Sequence, residues 1–111
     1  MFYAQTDAGY RPLAEGVEMK SLVHGAQTHM VVFRISAGSG VPAHRHPHEQ
    51  TGFLVSGRLA MTVGDRTVEL GPGDAWNIPG DAEHSAEALE ACTAIEVFSP
   101  VREDYLKAAE S

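Results

Sequence analysis

Gly38-Ser39-Gly40-Val41-Pro42-Ala43-His44-Arg45-His46-Pro47-His48-Glu49-Gln50, running on to Gly57, packs three of the chain's six histidines into five residues. His44 and His46 are two apart, so on an extended backbone both rings point to one face. Imidazole is the commonest side-chain ligand for mid-series divalent metals, and two on one face supply half of a four-ligand shell. A solvated polar loop is the plain alternative. It would win for a single histidine, but a His-x-His pair followed by Gln50 and, far along the chain, His84 points to a metal. His24 and His29 read as surface residues near strand ends.

Outward from this stretch the chain is cut at short intervals by eleven glycines and six prolines. The segments between them alternate apolar and polar residues and follow no helical period. Strands are expected at Val17–His24, Thr28–Ser36, Thr51–Ser56, Leu59–Val63, Thr67–Leu70, Ala75–Ile78, His84–Ala88 and Thr93–Phe98, with Ala37–Ala43 a loop. Gly57-Arg58, Gly64-Asp65, Gly71-Pro72-Gly73-Asp74 and Pro79-Gly80-Asp81 read as turns. Many short strands with turn chemistry between them predict an antiparallel sandwich or barrel, and no helix-length segment is left over for a parallel βαβ unit. A short helix is expected after the last strand. Ser99 can cap it, Pro100 suits its first position, and Glu103 and Asp104 suit its first turn.

With 111 residues the sequence reads as a single domain. The barrel core is expected at about 17–98, with 99–111 as helix or tail. Fifteen acidic against eight basic residues give a net charge of -7, which disfavours nucleic acid and anionic membranes as partners. No apolar run reaches bilayer length, and the start lacks the pattern of a secretory leader. The lone Cys92 makes no internal disulfide, so a reducing cytoplasm is the expected location.

The last strand holds a second chemical candidate. In Cys92–Ser99, Ala94, Glu96 and Phe98 share one face, and Ile95 and Val97 share the other. A carboxylate in mid-strand is expensive unless paired, hydrated or near a metal, and cheap on the exposed face of an edge strand. The pattern alone weights these evenly. Arg102 follows; a guanidinium can hold a carboxylate bidentately, although at a helix start it is commonly just solvated.

The spacing Gly38, five residues, His44-x-His46, three residues, Gln50, six residues, Gly57 resembles the first cupin motif. Gly73, five residues, Pro79, four residues, His84 resembles the second, and 15 residues separate Gly57 from Gly73. The resemblance implies an all-β cupin double-stranded β-helix, a jelly-roll-like barrel. It also implies one divalent metal ion per chain held by His44, His46, Gln50 and His84, with zinc, nickel, manganese, iron and copper all compatible with the ligands. Gln50 stands where the family usually has an acid, and Glu49 lies one position earlier. A one-residue shift reverses the face, so the two cannot both point inward. Counting back from Gly57 favours Gln50, with His48 as a substitute. Three neutral imidazoles and a neutral amide leave the metal's charge uncompensated, which suits a Lewis acid acting on an anionic substrate.

HPHEQ together with the late EVFSPVREDYL is similar to the small cupins that open unsaturated uronate rings, the KdgF type. That resemblance implies ring opening and ketonisation of 4,5-unsaturated uronates, with Glu96 and Arg102 catalytic and Phe98 and Arg102 binding substrate. Glu96 stands in the place of the family's aspartate. Other readings are a metal-dependent dioxygenase and a non-catalytic small-ligand binder. Met30–Ile35, apolar on both faces, together with the habit of small cupins, predicts a homodimer.

Overall fold

A computed structural model describes residues 1–110, with side chains as far as residue 106; Ser111, the end of the expected tail, lies outside the described residues. Eight strands and one helix follow in order: β1 (Arg11–Ala14), β2 (Val17–His24), β3 (His29–Ile35), β4 (Gly40–His44), β5 (Glu49–Val63), β6 (Arg66–Leu70), β7 (Ala75–Ile78), β8 (His84–Ser99) and α1 (Glu103–Glu110). All pairings are antiparallel, in the order β1-β2-β3-β8-β5-β6, with β4 added to β8 and β7 to β5. The fold is the expected mostly-β cupin barrel with a short C-terminal helix.

Two long strands organise it. β5 and β8 pair from Glu49↔Ser99 to Val63↔His84, and the register slips around Ser56 to Leu59. The expected turn at Gly57-Arg58 is therefore a bulge inside one strand, and the two segments expected at 84–88 and 93–98 are a single strand. Gly57 has φ 89°, and a Cβ there would run into the Ala91 carbonyl oxygen. A glycine at positive φ serves a turn or a bulge equally well, and the unbroken pairing with β8 selects the bulge. Residues from both halves share one core: Leu54 with Leu59 and Met61 of β5, and Ala88 with Ala94 and Phe98 of β8.

Two further corrections concern elements. The expected loop before His44 contains β4, drawn into the sheet by pairing with Ala86 and Glu87 of β8. The helix starts at Glu103 rather than Pro100, because Ser99 is still held extended against Glu49. Its acidic first turn, Glu103 and Asp104, is as expected.

Alternation sets the inside. Along β8, Cys92, Ala94, Glu96 and Phe98 are buried while the residues between them are half-buried. Met19, Val31, Leu54, Leu59, Ile78 and Phe98 fill the centre of the core, and each such side chain contributes about 1.5–3 kcal/mol on burial. His29 faces the same interior. It was expected at the surface, yet it is fully buried, because β3 lies between β2 and β8 and its odd-numbered positions point inward. Its ring meets Ser21 Oγ at 2.6 Å and accepts the Arg102 backbone N–H at Nδ1, 3.3 Å. His24 is exposed, as expected.

Candidate metal centre

His44 ends β4, His84 opens β8, and the two are paired across the sheet. His46 follows in the loop to β5. The ring centroids lie 4.2 Å (His44–His84), 4.9 Å (His46–His84) and 5.4 Å (His44–His46) apart. One ligand atom from each ring falls within 4.8 Å of the others.

Each ring is held by a carbonyl two residues away: His44 Nδ1 to Pro42 O at 2.9 Å, His46 Nδ1 to His48 O at 3.0 Å, and His84 Nδ1 to Ala82 O at 2.8 Å. A carbonyl oxygen only accepts, so Nδ1 carries the hydrogen and Nε2 keeps its lone pair. That is the tautomer a metal ligand needs, with the outer nitrogen fixing the ring. His46 Nε2 is buried without a hydrogen-bond partner. Burial is the main cause that lowers the pKa of His46 and His84, with the Arg102 charge and the neighbouring imidazoles adding to it. Both rings are thereby biased toward the neutral form that can ligate.

Gln50 is buried and points inward; Glu49 is exposed and accepts from Asn77 Nδ2 at 3.0 Å. Gln50 Nε2 donates to Glu96 Oε2 at 2.8 Å, which leaves Gln50 Oε1 buried and without a partner. A buried carbonyl oxygen in that state costs free energy unless something positive meets it. His46 and Gln50, which carry these two orphaned acceptors, line the same cavity as His44 and His84. The residues present therefore fit a divalent cation. His48 lies outside that lining and serves through its carbonyl, which anchors His46.

Glu96 is inside, only 6% exposed, because it lies on the face of β8 whose Cys92, Ala94 and Phe98 pack into the core. Oε2 accepts from Gln50, and Oε1 accepts from Trp76 Nε1 at 3.1 Å. Burial pushes its pKa up to about 7, against the two hydrogen bonds that pull it down. A carboxyl group poised there can give or take a proton near neutral pH.

The cavity is about 70 Å³ and is also lined by Leu59, Met61, Phe98, Arg102 and Tyr105. One water needs roughly 10–15 Å³ on this measure, so there is space for several. Phe98 packs edge-on to Phe33, Tyr105 and His46. The Arg102 guanidinium sits 4.0 Å from the Tyr105 ring centre and 4.9 Å from that of Phe98. Its Nε and Nη2 donate to the two carboxylate oxygens of Asp104 at 3.0 and 2.8 Å. An open groove of about 510 Å³, lined by Gly16, Val17, Ile35 and Cys92, is larger. Among the described residues, though, the one group of three or more ligating His, Cys, Asp or Glu side chains is the histidine triad.

Sequence reasoning missed Trp76, Asp104 and Tyr105 at this site. For Trp76 a signal existed: in β7, alternation with Ile78 puts it on the inner face.

Comparison with known proteins agrees with this geometry. The Cupin domain family matches residues 31–98. KdgF from Halomonas sp. is 28% identical, with 94% of this chain and 98% of that chain covered and a TM-score of 0.89. An RmlC-like cupin from Shewanella frigidimarina has the same TM-score at 24% identity, with 94% of each chain covered. An uncharacterized protein of Streptomyces coelicolor is 30% identical over 70 residues, 62% of this chain and 67% of that protein. Barrel, histidine triad and family match agree: the chain belongs to the cupin family and is KdgF-like in structure, with three histidines positioned to bind a metal.

Proposed function

We propose that this protein opens the ring of a 4,5-unsaturated monouronate and delivers the linear keto acid, using one divalent metal ion held by His44, His46, His84 and Gln50. The observation that carries the reading is the buried acid beside the ligand set: Glu96 is bonded to the Nε2 of Gln50, whose Oε1 is left for the cation. The likeness to KdgF from Halomonas sp. supports it. A bound divalent ion supplies Lewis acidity that holds an anionic substrate and offsets negative charge developing on the ring oxygen.

The chain's own residues supply the rest. Two guanidinium nitrogens of Arg102 are engaged with Asp104, and Nη1 is left to meet the substrate carboxylate. Phe98 offers an apolar wall to one sugar face. Glu96 takes the proton from the hemiacetal hydroxyl as the C1–O5 bond breaks, which gives the C1 aldehyde and an enolate across C4, C5 and O5. The same carboxyl then returns that proton to C4 as the enolate becomes the C5 ketone. One proton leaves and one is returned, so the reaction is a balanced isomerisation. The protein is expected to act in the cytoplasm as a homodimer, with a second copy covering the outer face where Met30, Phe53 and Val55 are exposed. Light scattering on a sizing column reads that mass directly.

The test follows loss of the ring alkene absorbance of unsaturated galacturonate or mannuronate. Metal-loaded protein should accelerate it and chelator-treated protein should not. Equal rates with and without metal, or no acceleration at all, would remove the proposal.

A further inference from the structure

The row of residues facing inward beside the metal cluster contains a gap. Trp76 of β7 is paired with Gly52 of β5, and Gly52 with Glu96 of β8. Strands lie about 4.8 Å apart, so the two outer members of such a row have backbones roughly 10 Å from each other. A glutamate and an ordinary inward side chain would not meet across that span. Trp76 and Glu96 do meet, and the 3.1 Å bond from Nε1 to Oε1 runs over the middle strand. Gly52 makes this possible. Its φ is ordinary, so its backbone does not require glycine, yet a Cβ there would lie inside the Trp76 ring atoms Cε2, Nε1 and Cζ2. The indole occupies the volume that any other residue at 52 would fill.

We propose that Gly52 and Trp76 form a positioning device for the Glu96 carboxylate. The indole N–H fixes one oxygen, so the other is turned toward Gln50 and the cavity. The indole is a donor only. It can hold a carboxylate oxygen but cannot compete with the carboxyl group for a substrate proton. Through Glu96 the same bond sets the Gln50 amide, whose Nε2 is spoken for and whose Oε1 is left buried without a partner. Trp76 is thus a positioning residue acting through Glu96. Its catalytic consequence rests on the ring-opening reading above, whereas the contact itself does not.

Trp76 is the chain's single tryptophan, so both halves can be tested at one site. A tryptophan auxotroph supplied with benzothienylalanine replaces the indole N–H with sulfur at nearly constant shape. Protein so labelled should bind its metal normally, keep KM within about twofold and lose roughly 10–100-fold in kcat, the scale on which supporting contacts to a reactive group act. Trp76→Phe should repeat that split. Full kcat in the sulfur-substituted protein would overturn the catalytic half. The contact is read without activity, as the one indole N–H resonance in a ¹⁵N-correlated proton spectrum. It should lie downfield in the native protein and move upfield in Glu96→Gln and Gly52→Ala. An indole resonance unmoved by both would overturn the positioning device even if the enzyme opened uronate rings. A resonance that moves in a protein without ring-opening activity would keep the device and remove the reaction.

Discussion

Two groups of side chains share one cavity and are held there by opposite means. The three imidazoles are each fixed by a carbonyl two residues away, Pro42, His48 and Ala82. The acid cluster of Gln50, Glu96 and Trp76 is fixed by bonds between side chains that are 46 and 20 positions apart in sequence. The orientation of each imidazole is therefore set by local backbone shape, with β4–β8 pairing bringing His84 to the other two, and the acid half exists only once β5, β7 and β8 are paired. Damage to one half should leave the other standing.

The largest effect should come from the local half. In His84→Ala, metal content measured by plasma mass spectrometry should fall below about a tenth of an equivalent, and activity should drop to that of the chelated protein, since three of four ligands hold a divalent ion poorly. Far-ultraviolet circular dichroism should still show the barrel. Glu96→Gln breaks the other half. It should retain one metal per chain and lose about 10²–10⁴-fold in kcat, the range for a general acid–base group. If Glu96→Gln released the metal as completely as His84→Ala, the two halves would not be separate.

The third effect is on stability, in chelated protein. The Glu96 carboxyl is pushed up to about 7 in the fold from an ordinary 4.5. The folded state therefore keeps a proton that the unfolded chain has already shed between those values. Stability from this group is present below pH 4.5 and is lost as pH rises through 7. Compared with Glu96→Gln in urea titrations, the native chain should lose about 3 kcal/mol across that window. A parallel pH dependence in the two proteins would show that Glu96 is not buried in this way. The smallest effect lies at a third long-range link, where His29 holds the Arg102 backbone. Ser21→Ala removes one bond to His29 Nε2 and should cost about 1 kcal/mol, with metal content unchanged.

The same contrast explains what could be read from the sequence. The His-x-His pair was legible because a period of two and a local anchor need no partner strand. Gln50 over Glu49 was legible because alternation counted back from Gly57 fixes the inward face. Glu96 was named by the resemblance but not by the pattern, because alternation says that Ala94, Glu96 and Phe98 share a face without saying which face is inside. The packing of Ala94 and Phe98 against Leu54, Ile78 and the rest of the core decides it. His29 was misread for the same reason: a histidine at a strand end looks solvated until the neighbouring strands and the Arg102 amide close over it. Alternation in β7 could place Trp76 inside, but its bond to Glu96 stood beyond reach, since it crosses Gly52 on the strand between them.

The central claim is that the histidine triad and the Gln50 amide grip one cation. Crystals soaked in manganese or zinc, with data collected across the metal's absorption edge, test it most directly. One anomalous peak per chain is expected at about 2.0–2.2 Å from the Nε2 atoms of His44, His46 and His84, with Gln50 Oε1 as the next nearest protein atom. A peak on the outer surface, or clean density between the three rings at saturating metal, would contradict it.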